Sequence, residues 1–260
     1  MILILLKKIL HPIRTWRYIS TRQQDNKTNS QWSSQEHILQ NIRSVDKSYV
    51  NLFGRCPEVE HQVGRYVNMK AIISEIEEGS IPGDVIEFGT WQGLGLIFLE
   101  SAFKLVDSPR KFIGIDSFEG LPESSTVWEL GAFSDTSYDK AYANIEKNFG
   151  AKNHFLLVKG WFNDERVSEQ LYSEIDDICL VHFDADLGSS TRDALKIIEK
   201  YLYKISHPVY FLFDDWGCHP DEVPDAFYDW LTHAKKLFDI EAEKLSSTRY
   251  TRYYKITTRN

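Results

Sequence analysis

The chain has 260 residues, 42% of them apolar and 13% aromatic, with 30 Lys plus Arg against 38 Asp plus Glu. That is enough apolar material for one large α/β core or two small ones, and it excludes intrinsic disorder for most of the length. A net charge of −8 argues against nucleic acid as the main partner, because binding a phosphate backbone needs a basic surface that releases counterions.

The first 22 residues carry Lys7, Lys8, Arg14, Arg17 and Arg22 and no acid, which is +5 and leaves 25 basic against 38 acidic residues, or −13, in the remainder. Apolar residues at 2, 5, 6, 9, 10, 13 and 16 trace a helical stripe, with Lys7, Lys8, His11 and Arg14 opposite. Pro12 bends or ends that helix. The unbroken apolar run is six residues long, against about 20 for a spanning helix, and no basic region precedes it, so neither a transmembrane helix nor a signal peptide is expected. Two readings remain for this segment: peripheral membrane contact through residues 1–17, or docking on its own domain or on a second subunit of a homo-oligomer. Residues 23–35 are polar and rich in Ser, Asn and Gln, a linker composition. The whole stretch 23–64 is assigned to linker and N-terminal cap helices, ahead of a domain beginning at residue 65. Cys56, Cys179 and Cys218 are too widely spaced for a disulfide framework or a metal-ligand pair, so a reducing, cytoplasmic setting is expected.

From residue 65 onward, short apolar runs alternate with helical patterns. The runs are VIEF (85–88), KFIGI (111–115), HFLLV (154–158), CLVHF (179–183) and VYFLF (209–213); helices are expected at 93–106, 138–149, 165–173, 190–203 and 222–236. Near-continuous apolar strands separated by helices predict a mostly parallel sheet covered on both faces, a doubly wound α/β fold. Two last strand-like runs, KLFDIEAEKL and RYTRYYKITT, meet at Ser246 and Ser247 with no helix between, which predicts a C-terminal antiparallel hairpin.

Doubly wound sheets bind ligands beyond the carboxyl ends of their strands, at the point where strand order reverses. Gly89, Gly93 and Gly95 follow the first run and let a ligand approach backbone N–H groups, although turn glycines are as often purely structural. Asp116 closes the second run, where an acid holds a ribose diol or is simply a loop acid. Together they favour a nucleoside ligand. Glu87, just before the glycine turn, would repel the pyrophosphate of a dinucleotide but welcomes an amino group and a sulfonium, which tilts the cofactor from NAD to S-adenosyl-L-methionine. Asp184, Asp186, Asp214 and Asp215 stand at two further strand ends. Four converging carboxylates repel one another unless a cation neutralises them, and hard oxygen donors suit Mg²⁺ or another hard divalent ion. The plain alternative is that some of them cap the helices that follow.

At these residues a resemblance becomes visible. GDVIEFGTWQG (83–93), IDSFEGLP (115–122), KGWF (159–162), FDADLGSST (183–191) and FDDW (213–216) are similar to the macrocin-type (TylF/MycF-like) sugar O-methyltransferases, in order and with matching spacing from Arg65 to Leu231. The resemblance implies a class I methyltransferase fold and metal-assisted methylation of a hydroxyl on a sugar, glycoside or related small molecule. It implies that Glu87 and Gly89 contact the methionine part of the cofactor, that Asp116 contacts the ribose, and that Ser117, Gly160 and Trp161 flank the adenine. It also implies that Asp184, Asp214 and Asp215 hold the metal and that Asp186 is the general base. Gly188 and Trp216 stand where the family usually has Tyr, and both are expected to face the acceptor. Residues 123–140 form a polar and aromatic insertion expected to lie over the site as a lid. The rival reading is a methyltransferase-fold binding or scaffolding protein without turnover.

Overall fold

The near-continuous apolar runs do become interior strands. The computed structural model describes residues 57–106, 108–149, 155–216, 222–247 and 250–259; these begin with helix α1 (Pro57–Glu78) and continue through β1 (Asp84–Phe88), α2 (Leu94–Leu105), β2 (Phe112–Asp116) and α3 (Tyr138–Phe149). There follow β3 (Phe155–Lys159), α4 (Glu165–Glu174), β4 (Ile178–Phe183), α5 (Gly188–Leu202), β5 (Val209–Phe213), α6 (Glu222–Leu237), β6 (Ile240–Ser247) and β7 (Arg252–Thr258). The basic segment 1–22, the linker at 23–35, Cys56 and Cys218 lie outside the described residues. Helix α1 crosses the expected domain start at residue 65 without a break.

Among the described residues seven strands form one sheet in the order β3-β2-β1-β4-β5-β7-β6, parallel except for β7, which pairs antiparallel with both β5 and β6. The order reverses between β1 and β4, because the chain winds outward through β2 and β3 and then returns to the other side. Along β5 the side chains alternate cleanly: Val209, Phe211 and Phe213 enter the layer formed with α4, α5 and α6, while Tyr210 and Leu212 enter the layer with α1, α2 and α3. Burial on both faces is why these strands read as unbroken apolar runs. Within the second layer, burial pushes the Cys179 thiol up to about 12, so it packs as a small apolar group.

The C-terminal hairpin forms, but Ser246 and Ser247 belong to its first strand rather than joining the two. Ser246 and Ser247 pair with Tyr253 and Arg252 within the ladder, after a register shift between Lys244 and Ser246. The bulge lets the strand run through the serines, which by composition alone suggest a turn, to its end at Ser247.

The aromatic content concentrates around β5. Phe183 stacks on Phe213 at 4.7 Å, and Phe211 meets Phe183 at 5.3 Å and Trp230 at 5.6 Å. Phe211 is fully buried in the apolar layer with α4, α5 and α6, so Phe211→Ala leaves a cavity there without removing a residue of the candidate site. Its expected effect is a loss of about 3–5 kcal/mol, seen as a lower midpoint in urea unfolding followed by circular dichroism. An unchanged midpoint would mean that this layer is not packed as described. Among the described residues no helix is long and apolar enough to cross a membrane.

Candidate active site

The carboxyl ends of β1, β2, β3, β4 and β5 are brought to one edge of the sheet by parallel register. At the end of β1 the chain turns through Gly89, with φ 90°, and Gly93, with φ 84°, and between them Trp91 also takes a positive φ of 46°. Gly89 is required by close approach: a Cβ there would stand 1.8 Å from the Asp184 carbonyl oxygen, so the turn and the end of β4 touch backbone to backbone.

Glu87 lies beneath this turn, 1% exposed. Its register partner on β4 is His182, and Glu87 Oε1 sits 3.0 Å from His182 Nδ1. Burial raises the Glu87 pKa, against the hydrogen bond and charge of His182. Burial works against charge on His182, but the bond to Glu87 and the carboxylates Asp184 and Asp214 outweigh it and lift the imidazole above the ordinary histidine value. Glu87 Oε2 is buried with no hydrogen-bond partner among the described residues, which suits the donor group of a ligand such as an ammonium.

Asp116, at the end of β2, accepts from the Trp91 N–H and the Phe118 N–H, each at 2.7 Å. Burial pushes its pKa up, the two amide bonds pull it down, and Glu87 and Asp184 add repulsion. Ser117 Oγ accepts from the Glu119 N–H at 3.1 Å and donates to the Gly120 carbonyl at 3.4 Å. The Gly160 N–H donates to the Asp116 carbonyl at 2.9 Å, so β3 ends beside β2, and the half-buried Trp161 follows at the same edge. Gly93 packs against α3, where a Cβ would lie 2.4 Å from Ile145. The residues expected to hold the cofactor thus share one edge, and Trp91 joins two of its loops.

The acids assemble at the ends of β4 and β5. Asp214 is 1% exposed and Asp215 is 3% exposed, and ligand atoms of His182, Asp184 and Asp214 lie within 4.8 Å of one another. Burial pushes the Asp184 carboxyl upward, and Asp214 and Asp215 add to this against the pull of Arg65. Asp215 Oδ1 is buried with no hydrogen-bond partner among the described residues. Hard oxygen donors with one such orphan fit a hard divalent cation. Asp186 is half-buried on the loop that follows Asp184, and both Asp186 and Asp215 take positive φ, 58° and 55°. Aspartate tolerates this region better than most residues, and such conformations gather where a site over-determines the backbone.

Two residues absent from the sequence-based site belong to this constellation. His182 sits inside the run CLVHF and reads as a core position until strand order sets it opposite Glu87. Arg65 reaches from α1 to the acids, with Nη1 2.8 Å from Asp184 Oδ2 and 3.2 Å from Asp214 Oδ2. Trp216 departs from expectation. It is 4% exposed and packs among Phe213, Phe227 and Tyr254 with the Arg252 guanidinium over its ring, so its bulk serves the core rather than the acceptor. Gly188 opens α5 where a Cβ would meet the Glu222 carbonyl oxygen at 2.5 Å, which leaves no room there for a Tyr.

The insertion at 123–140 is an ordered loop whose end becomes the first turn of α3. The Trp91 indole donates to Asp135 at 2.9 Å, Thr136 donates to the Trp91 carbonyl at 3.3 Å, and Phe133 packs between Trp91 and Trp128. Ser189 of α5 hydrogen-bonds Glu123. Between this loop, α5 and the start of α6 lies a cavity of about 310 Å³, lined by Glu123, Ser125, Leu187, Ser189, Arg192 and Asp225 among others. Its polar lining suits a hydroxyl-rich molecule.

A family model described as macrocin O-methyltransferase (TylF) matches residues 2–241. The 8-demethyl-8-(2,3-dimethoxy-alpha-L-rhamnosyl)-tetracenomycin-C 4'-O-methyltransferase of Streptomyces olivaceus is 27% identical over 194 residues, covering 69% of this chain and 71% of that protein. The demethyldecarbamoylnovobiocin O-methyltransferase of Streptomyces niveus is 26% identical over 212 residues, covering 75% and 74%. The solved structure of the O-methyltransferase NovP superposes with a TM-score of 0.59 at 21% identity, covering 74% of this chain and 78% of that one, a likeness of fold.

Proposed function

Since the chain belongs to the macrocin O-methyltransferase family and is an O-methyltransferase, we propose that it moves a methyl group from S-adenosylmethionine to a hydroxyl of a sugar or glycoside with the help of a divalent ion. The observation that supports this reading is the meeting of His182, Asp184 and Asp214 beside the glycine turn, with Asp215 next in the chain and close enough to act on Asp184, near the point where strand order reverses. When bound, the cofactor supplies an electrophilic methyl group and the ion supplies positive charge that favours the ionised acceptor oxygen.

The chain's own residues do the rest. Gly89 and Gly93 keep the turn low enough for close approach, and Glu87 Oε2 offers a buried acceptor to an ammonium. Asp116 takes the ribose side, with Ser117, Gly160 and Trp161 beside the adenine. Asp184, Asp214 and Asp215 hold the ion, and Asp186 accepts the proton that the acceptor hydroxyl gives up. Holding acceptor and methyl group in line is the larger part of the work, because orientation of two reactants is worth about 7–11 kcal/mol. The polar cavity next to Leu187 supports a sugar-like acceptor, as do relatives named as O-methyltransferases of a rhamnosyl tetracenomycin and of demethyldecarbamoylnovobiocin.

The test is incubation with labelled S-adenosylmethionine and a panel of sugar acceptors, with and without EDTA, beside calorimetry with S-adenosylhomocysteine and NAD. Label should pass to a hydroxylated sugar only when divalent ion is present, and S-adenosylhomocysteine but not NAD should bind. NAD binding without a S-adenosylhomocysteine signal would sink the cofactor assignment, and full transfer in EDTA would remove the ion from the mechanism.

A further inference from the structure

The acid cluster contains a cation of the chain's own. The Arg65 guanidinium, with a side chain 8% exposed, bridges Asp184 Oδ2 and Asp214 Oδ2, the second of these on a side chain that is 0% exposed. These are oxygens of the same two carboxylates that are proposed to hold the divalent ion. Guanidinium stays charged at every working pH, so protonation cannot clear it from the oxygens. A second positive charge at the same two oxygens meets that charge across a few ångströms of poorly screened space.

We infer that Arg65 and the divalent ion compete for Asp184 and Asp214, so that Arg65 lowers the metal affinity of the site and must swing off these oxygens when the ion takes them. This inference rests on the reading that the acids hold a metal. The exchange is confined to the side chain, because α1 itself is fastened. Asn68 donates to Thr251 at 2.7 Å in a buried contact, the Glu75 carboxylate accepts from Tyr210 and Tyr253 at 3.0 and 3.1 Å, and Tyr66 stacks on Phe98 at 4.1 Å. A guanidinium on a fixed helix also neutralises one buried and one part-buried carboxylate whenever the ion is away, which keeps the edge of the sheet intact between turnovers.

The test titrates MnCl₂ calorimetrically into the full chain and into Arg65→Gln and Arg65→Lys, with S-adenosylhomocysteine binding measured on each protein. Arg65→Gln should bind Mn²⁺ roughly tenfold tighter or more, because a nearby like charge has been removed. It should also show a larger rise in melting temperature with saturating Mn²⁺ than the parent chain. Arg65→Lys, which keeps the charge but carries it on a stem one bond shorter than the path to Nη1, should fall between them. Mn²⁺ binding by Arg65→Gln alone supports the competition in its strongest form. Equal or weaker Mn²⁺ affinity in an Arg65→Gln protein that binds S-adenosylhomocysteine normally overturns it. Should that variant fail to fold, unchanged affinity in Arg65→Lys overturns it instead. Absence of Mn²⁺ binding in all three removes both the metal site and the competition, while S-adenosylhomocysteine binding would leave the methyltransferase reading standing.

Discussion

Asp214→Ala should reduce methyl transfer by roughly a thousandfold, because a divalent ion that stabilises developing negative charge is worth several kcal/mol. Asp214 is chosen because its side chain is the most enclosed of the proposed ligands and cannot be replaced by bulk water without opening the sheet edge. The loss should be partly recovered by raising Mg²⁺, since a weakened site fills at higher ion concentration. Cofactor affinity should change little, because Glu87 and Asp116 lie on β1 and β2. Initial rates across a Mg²⁺ titration, with S-adenosylhomocysteine calorimetry as the folding control, decide the matter. A fully active variant would show that Asp214 is structural.

Asp186→Asn should behave differently. Asparagine tolerates the positive φ of 58° at this position about as well as aspartate, so the loop keeps its course while the proton acceptor is lost. The expected result is a fall in kcat of roughly 100-fold or more at nearly unchanged KM for cofactor, the signature of an interaction made in the transition state. Metal affinity measured with Mn²⁺ should stay close to the parent value. If it falls together with kcat, Asp186 belongs among the ligands and the proton goes elsewhere.

Strand positions were legible in the sequence because burial on two faces writes itself as an uninterrupted apolar run, and each of the strands β1 to β5 lies within one residue of the expected span. The strand-end acids and glycines were legible for a related reason: polar residues directly after a buried run have no place but the edge. Arg65 was not legible, since it lies 119 residues from Asp184 and only the packing of α1 on the sheet brings them together. His182 was hidden by its neighbours, because one polar residue within an apolar strand looks like a tolerated exception until the pairing of β1 with β4 supplies Glu87. Trp216 misled in the opposite direction. Adjacent to two acids it suggests a ligand contact, yet the aromatic crowd around Phe213 and Phe227 draws it into the core. The serines at the hairpin misled because serine composition marks turns, whereas pairing across a bulge kept them in the strand.

The way the sheet stops at β6 has its own consequence. Among the described residues this strand closes the order at one end, and a strand edge offers unpaired backbone groups to any other chain that can align with it. Along β6, Glu241, Glu243 and Lys244 are exposed while Ala242 and Leu245 are only partly covered. Another β6 laid alongside would bring carboxylates near carboxylates and strip water from charged groups, at a bulge where the register shifts between Lys244 and Ser246. The strand therefore resists recruiting a further strand into the sheet, and its charges guard against fibre-like growth at this edge.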